Sequence, residues 1–143
     1  MPANLTGSWP SLSADDQQIW YTANGCQPGC LVRTKRASAI AWGAPEAVVV
    51  PGGLIYNQVD VSPTGLELLM TGPGSTGANA LVVATRPNTD TLTFTNVYTI
   101  PALSFVSTYN GASWSADGRT IYLTVDHNPT GVGGKDIVMS VLQ

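Results

Sequence analysis

Charge is scarce in this chain. One residue in ten is charged, six are basic against nine acidic, and the formal net charge is -3. Of the basic residues only Arg33, Lys35 and Arg36 lie close together. That excludes the dense basic face by which a protein holds a nucleic-acid backbone. Disorder is excluded too, because a chain that is 43% hydrophobic and weakly charged has the apolar surface to fold. No apolar run approaches the roughly 20 residues of a membrane-spanning helix, so membrane insertion is not expected. Met1-Pro2-Ala3 does not open a secretory signal, so any export signal lies outside this sequence.

Histidine and cysteine are as sparse. His127 is the single histidine, in Asp126-His-Asn-Pro-Thr-Gly. A nucleophile–base–carboxylate arrangement needs a positioned base, and no serine here sits in a Gly-x-Ser-x-Gly elbow. Asp126, Asn128 and Thr130 have the alternating oxygens of a calcium loop, but the glycine and distal glutamate are missing and Pro129 interrupts the segment. No carboxylates are placed as a glycosidase pair. The sequence therefore assigns no catalytic residue, no metal ligand and no cofactor. The two cysteines frame Cys26-Gln-Pro-Gly-Cys30. Pro28 and Gly29 suit the central positions of a type II turn, which brings the flanking residues within disulfide range. The alternative is two free thiols in a reducing compartment; a disulfide favours a periplasmic, surface or secreted protein.

What the chain does have is a repeat. Pro10-Ser-Leu-Ser-Ala-Asp-Asp-Gln-Gln-Ile-Trp-Tyr-Thr, Val59-Asp-Val-Ser-Pro-Thr-Gly-Leu-Glu-Leu-Leu-Met-Thr and Ala112-Ser-Trp-Ser-Ala-Asp-Gly-Arg-Thr-Ile-Tyr-Leu-Thr align on Ser13, Ser62 and Ser115, at spacings of 49 and 53 residues. A period of that length built from short strands points to β-propeller blades. Each unit reads as a first strand (about 8–13, 57–62 and 110–115), a tight turn, and a second strand at 19–21, 68–70 and 121–123. Gly65 and Gly118 supply positive φ at the turn, and Asp16 takes that place in the first unit, which predicts strain there. The second strands are apolar at consecutive positions, so both of their faces must be covered, as in blades stacked face to face. A Gly-rich loop leads to a third strand at 31–34, 80–85 and 136–141. An outer strand follows twice, at 45–50 and 95–100, after Trp42 and Phe94. The expected organisation is blade 1 over about 8–50, blade 2 over about 57–100 and blade 3 over about 110–143, the last lacking an outer strand that the stub at 1–7 of a chain can supply.

The phrase Ser115-Ala-Asp-Gly-Arg-Thr-Ile-Tyr-Leu, followed by Gly133-Gly-Lys-Asp-Ile-Val-Met, resembles the TolB-type Pro-Asp propeller repeat of bacterial periplasmic and surface proteins. Thr34-Lys-Arg-Ala-Ser with Trp42-Gly-Ala-Pro45 looks like the outer half of such a blade. The resemblance implies closed propellers, commonly six-bladed, that act as protein-binding platforms or as accessory and gating domains beside peptidases. Three blades do not close a ring, and an isolated arc leaves apolar blade faces in water. Two expectations follow: this is part of a longer propeller, or two copies pair head to tail into a six-bladed ring.

The expected function is a non-enzymatic binding or scaffold propeller that recognises a protein or a glycan. Alternatives are a self-assembling half-propeller and an accessory domain of a glycan hydrolase or peptidase. Trp9 and Trp114 lie on first strands, where an aromatic lining a central channel can stack on a sugar or anchor a partner. Trp20 reads as core and Trp42 as blade packing. The loops after the second strands share one face, which gathers Cys26, Cys30, His127 and Asn128, and binding residues concentrate in loops.

Overall fold

The computed structural model describes residues 6–24, 30–52, 57–73, 79–100, 108–126 and 135–141. Every regular element among them is a β-strand, and the strands form three antiparallel sheets in chain order. Blade 1 contains β1 (Gly7–Leu12), β2 (Gln18–Ala23) and β3 (Cys30–Ser38), with β4 (Ala41–Trp42) and β5 (Glu46–Ala47) both paired to β3. Blade 2 is the four-stranded meander β6 (Asn57–Val61), β7 (Glu67–Pro73), β8 (Asn79–Thr85) and β9 (Asn96–Thr99). Blade 3 is β10 (Thr108–Trp114), β11 (Thr120–Asp126) and β12 (Lys135–Val141). The chain thus folds as propeller blades.

The outer strand expected at 45–50 is broken. Pro45 has no N–H to give to a ladder; Glu46 and Ala47 pair with β3 opposite Arg33 and Val32, and the Val48 N–H adds one bond to the Leu31 carbonyl at 2.9 Å. The segment then leaves its own blade: the Val49 N–H donates to the Leu92 carbonyl at 3.0 Å, and the Phe94 N–H donates to the Val49 carbonyl at 2.9 Å. This stitches the outer rims of blades 1 and 2 together.

The three hairpin turns are one device used three times. The N–H groups of Asp16, Gly65 and Gly118 donate to the carbonyls of Ser13, Ser62 and Ser115 at 2.9, 2.8 and 2.9 Å. Each serine hydroxyl also accepts the N–H that opens the next strand, from Gln18, Glu67 and Thr120 at 2.9, 3.1 and 2.9 Å. In blades 1 and 3 the serine donates at 2.6 Å to Asp15 or Asp117. In blade 2 its hydroxyl lies 3.0 Å from that of Thr64. The bonded carboxyls of Asp15 and Asp117 are held below the ordinary carboxylate range, chiefly by those serine hydroxyls. The closing residues have φ of 58°, 72° and 70°, so Asp16 does adopt the left-handed conformation that glycine takes in the other two turns.

The core lies between blades, as the doubly apolar second strands require. Trp20 and Leu31 of blade 1 pack against Leu68, Met70, Val82, Ala84 and Phe94 of blade 2. The Trp20 and Phe94 rings meet edge-on, 6.2 Å apart at 78°. Such a pair adds about 1 kcal/mol to area burial. Leu69, Leu81 and Val83 face the other way, onto Ile121 and Leu123 of blade 3. The two end faces differ. On blade 1, Ile19, Tyr21 and Val32 are buried with Trp42 packed against them. On blade 3, Tyr122, Ile137, Met139 and Val141 are exposed.

Candidate binding site on the inner strands

The first strand of each blade, β1, β6 or β10, is the inner strand, and the three lie beside one another. Each has a break in register within its pairing to the second strand: between Ser8 and Ser11, between Asn57 and Asp60, and between Tyr109 and Gly111. At the break the backbone turns to positive φ, at 58° for Trp9, 52° for Gln58 and 155° for Gly111. These residues hold one repeat position, each the same distance ahead of its turn serine. A bulge re-aims side chains and tightens the local twist. Left-handed backbone is unfavourable for a residue as bulky as tryptophan, and such strain gathers at functional sites.

The three bulges surround a single cleft of about 230 Å3, lined by Trp9, Pro10, Gln58, Asp60, Gly111 and Ser113 among others. Trp9 is 50% exposed at its edge. Asp60 joins all three blades. The Ser11 hydroxyl donates to Asp60 Oδ1 at 2.5 Å, and the Trp114 N–H donates to Oδ2 at 2.7 Å. The Val61 N–H donates in turn to Ser11 Oγ at 3.2 Å. The pattern is a ladder. The side chain at the Ser11 position of one blade accepts the N–H of the residue after that position in the next blade, and Asp60 repeats this toward blade 3. Ser113 is the third occupant of the position. Burial pushes the Asp60 carboxyl above the ordinary range despite these bonds.

Of the described residues expected to bind, Trp9 lines this cleft and Trp114 does not. Trp114 is partly buried and packs against the Leu69 and Ile121 cluster. It sits one strand position beyond Ser113, so alternation turns it into the gap between blades 2 and 3. Its side chain therefore does not join Trp9. Trp20 is fully buried and Trp42 packs on blade 1, as their positions implied. His127, Asn128 and Cys26 lie outside the described residues, and Cys30 opens β3. Sequence reasoning assigned a binding role to neither Gln58 nor Asp60. The available signal was the recurrence of a polar residue at Ser11, Asp60 and Ser113 in strands that otherwise feed a core.

The described chain is therefore a run of TolB-type β-propeller blades by fold. Its fold is similar to that of TolB from Acinetobacter baumannii, with 19% identity, a TM-score of 0.64, and coverage of 96% of this chain and 30% of that one. It is also similar to a luciferin-regenerating enzyme, with 13% identity, a TM-score of 0.58, and coverage of 98% of this chain and 46% of that one. The chain thus spans less than half the length of either structure. No protein-family model and no curated protein sequence matches it.

Proposed function

We propose that this chain is a binding propeller, without catalysis of its own, whose ligand is a protein or a glycan that enters at Trp9. The observation that carries this reading is the coincidence of three positive-φ bulges around one cleft with a half-exposed tryptophan at its rim. A packing role alone gives no reason to hold Trp9 in strained backbone with its ring in water. The reading places the protein in the periplasm, on the cell surface or outside the cell. There a Cys26–Cys30 disulfide is stable, and the bonded state of Cys30 supports it. The test uses protein labelled with 5-fluorotryptophan, screened by fluorine NMR against oligosaccharide and peptide panels. A saturable shift of the Trp9 signal, with binding at least tenfold weaker in Trp9→Ala, is the expected result. Ligands that bind equally well to Trp9→Ala would overturn the reading, as would panels that leave Trp9 unmoved.

A second reading, assembly with another copy into a six-bladed ring, is favoured by the ladder. Ser113 occupies the position from which Ser11 and Asp60 each grip the following blade. The apolar face of blade 3 beside it is bare.

A further inference from the structure

On the opposite side of the blades from Trp9, the first two hairpin turns enclose a cleft of about 360 Å3. Asp15, Gln18 and Trp20 of blade 1 and Pro63, Thr89 and Arg86 of blade 2 are among the residues that line it. Arg86 is 4% exposed. Its Nε and Nη1 donate to the carbonyls of Gly65 and Thr91 at 2.8 and 2.6 Å. Its guanidinium lies 5.0 Å from the centre of the Trp20 ring and 5.4 Å from that of Phe94. Among the described residues, Nη2 has no hydrogen bond and no carboxylate pairs with the group. The one ion pair in that region belongs to Arg33, which reaches Glu46 at 2.7 Å. Burial and the nearby Arg33 charge both disfavour the charged form of Arg86.

The repeat separates what the fold needs from what it does not. Arg36 holds the equivalent place in blade 1, donates to the carbonyls of Asp16 and Ala39 at 2.9 and 3.3 Å, and stacks on Trp42 at 4.6 Å. Pinning the turn and covering an aromatic therefore account for an arginine in both blades. They do not account for a guanidinium that is only 4% exposed and yet turns a donor without a protein acceptor to the wall of a cleft, with no carboxylate in contact, since desolvating a charge is costly. An arriving carboxylate removes that cost and makes a charge-assisted hydrogen bond. Asp15 on the rim and Asp90 nearby disfavour a doubly charged anion such as phosphate. Val61 and Pro63 give the remaining wall an apolar surface for the rest of the ligand. Two buried atoms at the cleft have no partner, the Trp20 indole N–H and Gln18 Oε1. Both are closed off from solvent, so the direct bond falls to Arg86.

We propose that this cleft binds a single carboxylate through Arg86 Nη2, supplied by a peptide C-terminus or by a small organic acid. The site is separate from the one at Trp9, and neither depends on the other. The experiment follows the Trp20 indole N–H by proton–nitrogen NMR while N-acetyl-dialanine, its C-terminal amide and propionate are titrated in. A saturable shift with N-acetyl-dialanine and none with the amide is expected, with affinity at least tenfold lower in Arg86→Gln. Thr89→Glu, which puts a competing carboxylate on the exposed rim and leaves the arginine's packing alone, is expected to abolish the shift. It keeps the test decisive if Arg86→Gln does not fold. Propionate binding as tightly as the peptide assigns the carboxylate to a free acid, and weaker propionate binding assigns it to a chain terminus; both support the site. No saturable response to either carboxylate, an equal response to the amide, or a response unchanged in Thr89→Glu overturns it.

Discussion

Asp16 and Trp9 show two kinds of positive φ, one visible in the sequence and one not. At the turn, glycine in two copies of the repeat exposes the aspartate in the third as the departure, and its φ of 58° bears that out. The left-handed conformation costs a residue with a side chain roughly 1 kcal/mol. Among the described residues, the hydrogen bonds give Asp16 two roles, its backbone N–H to Ser13 and its carbonyl under Arg36, and glycine keeps both. Asp16→Gly is therefore expected to raise the unfolding free energy by about 0.5 kcal/mol, once the extra freedom of glycine in the unfolded chain is discounted. Urea denaturation measures it. No gain, or a loss, means that the aspartate side chain contributes a contact the turn requires. At the bulge the sequence is silent, because only Gly111 announces positive φ there, while Trp9 and Gln58 have side chains that ordinarily avoid it. The strain comes from register between strands far apart in the chain, which local residue choice does not reveal.

At the scale of elements, the second strands were legible in place, though not in their full length. The doubly apolar runs at 19–21, 68–70 and 121–123 became β2, β7 and β11, each longer by a residue or more at both ends. Their pattern is set by burial on two faces, a requirement that a sequence displays directly. The broken outer strand of blade 1 was less legible, since it depends on Val49 finding a partner across the rim in blade 2. The ladder through Asp60 was not legible either, because its bonds join residues about fifty positions apart. Its energetics can be tested. Asp60→Ala leaves the Trp114 N–H and the Ser11 hydroxyl without acceptors, and a stranded buried group costs about 1–3 kcal/mol. A loss near 3 kcal/mol in urea unfolding is expected, against about 1 kcal/mol for Asp60→Asn, whose amide oxygen still accepts from Trp114. Asp60 also has a signature in pH. Its folded pKa is raised above 3.8, so the folded state binds the proton more tightly than the unfolded chain. That contribution is complete below the unfolded pKa and drains away as pH rises through the folded one. Asp15 and Asp117 act in the opposite sense, their contribution falling away as acid protonates them. Asp60→Asn should therefore remove the part of the stability curve that falls with rising pH just above the ordinary carboxylate range. An unchanged curve would mean that Asp60 is better solvated than its bonds imply.

At the scale of the molecule, the two ends of the arc do not present the same problem. Tyr122, Ile137, Met139 and Val141 are 42%, 78%, 61% and 61% exposed on blade 3, whereas Trp20 and Leu69, at the position of Tyr122, and Leu31 and Leu81, at the position of Ile137, lie in the inter-blade core. Fully burying such side chains is worth about 1.5–3 kcal/mol apiece, so an association that covers even part of this face is strongly driven. The ladder gives it direction, because Ser113 is set to accept an N–H from a further inner strand as Ser11 does from Val61. In a ring of two copies that donor is the N–H of Leu12, the residue equivalent to Val61 and Trp114. The matching face of blade 1 is already closed around Ile19, Tyr21 and Val32. Specificity then rests on the ladder bond and on the bare face of blade 3, and a charge introduced there should be decisive. Light scattering on the purified chain is expected to give twice the monomer mass, falling to one monomer in Met139→Glu with the strand signature of the circular dichroism spectrum retained. A wild-type chain that is monomeric over the concentration range of the NMR titrations would sink the two-copy ring. A Met139→Glu chain that still dimerises would move the interface away from blade 3.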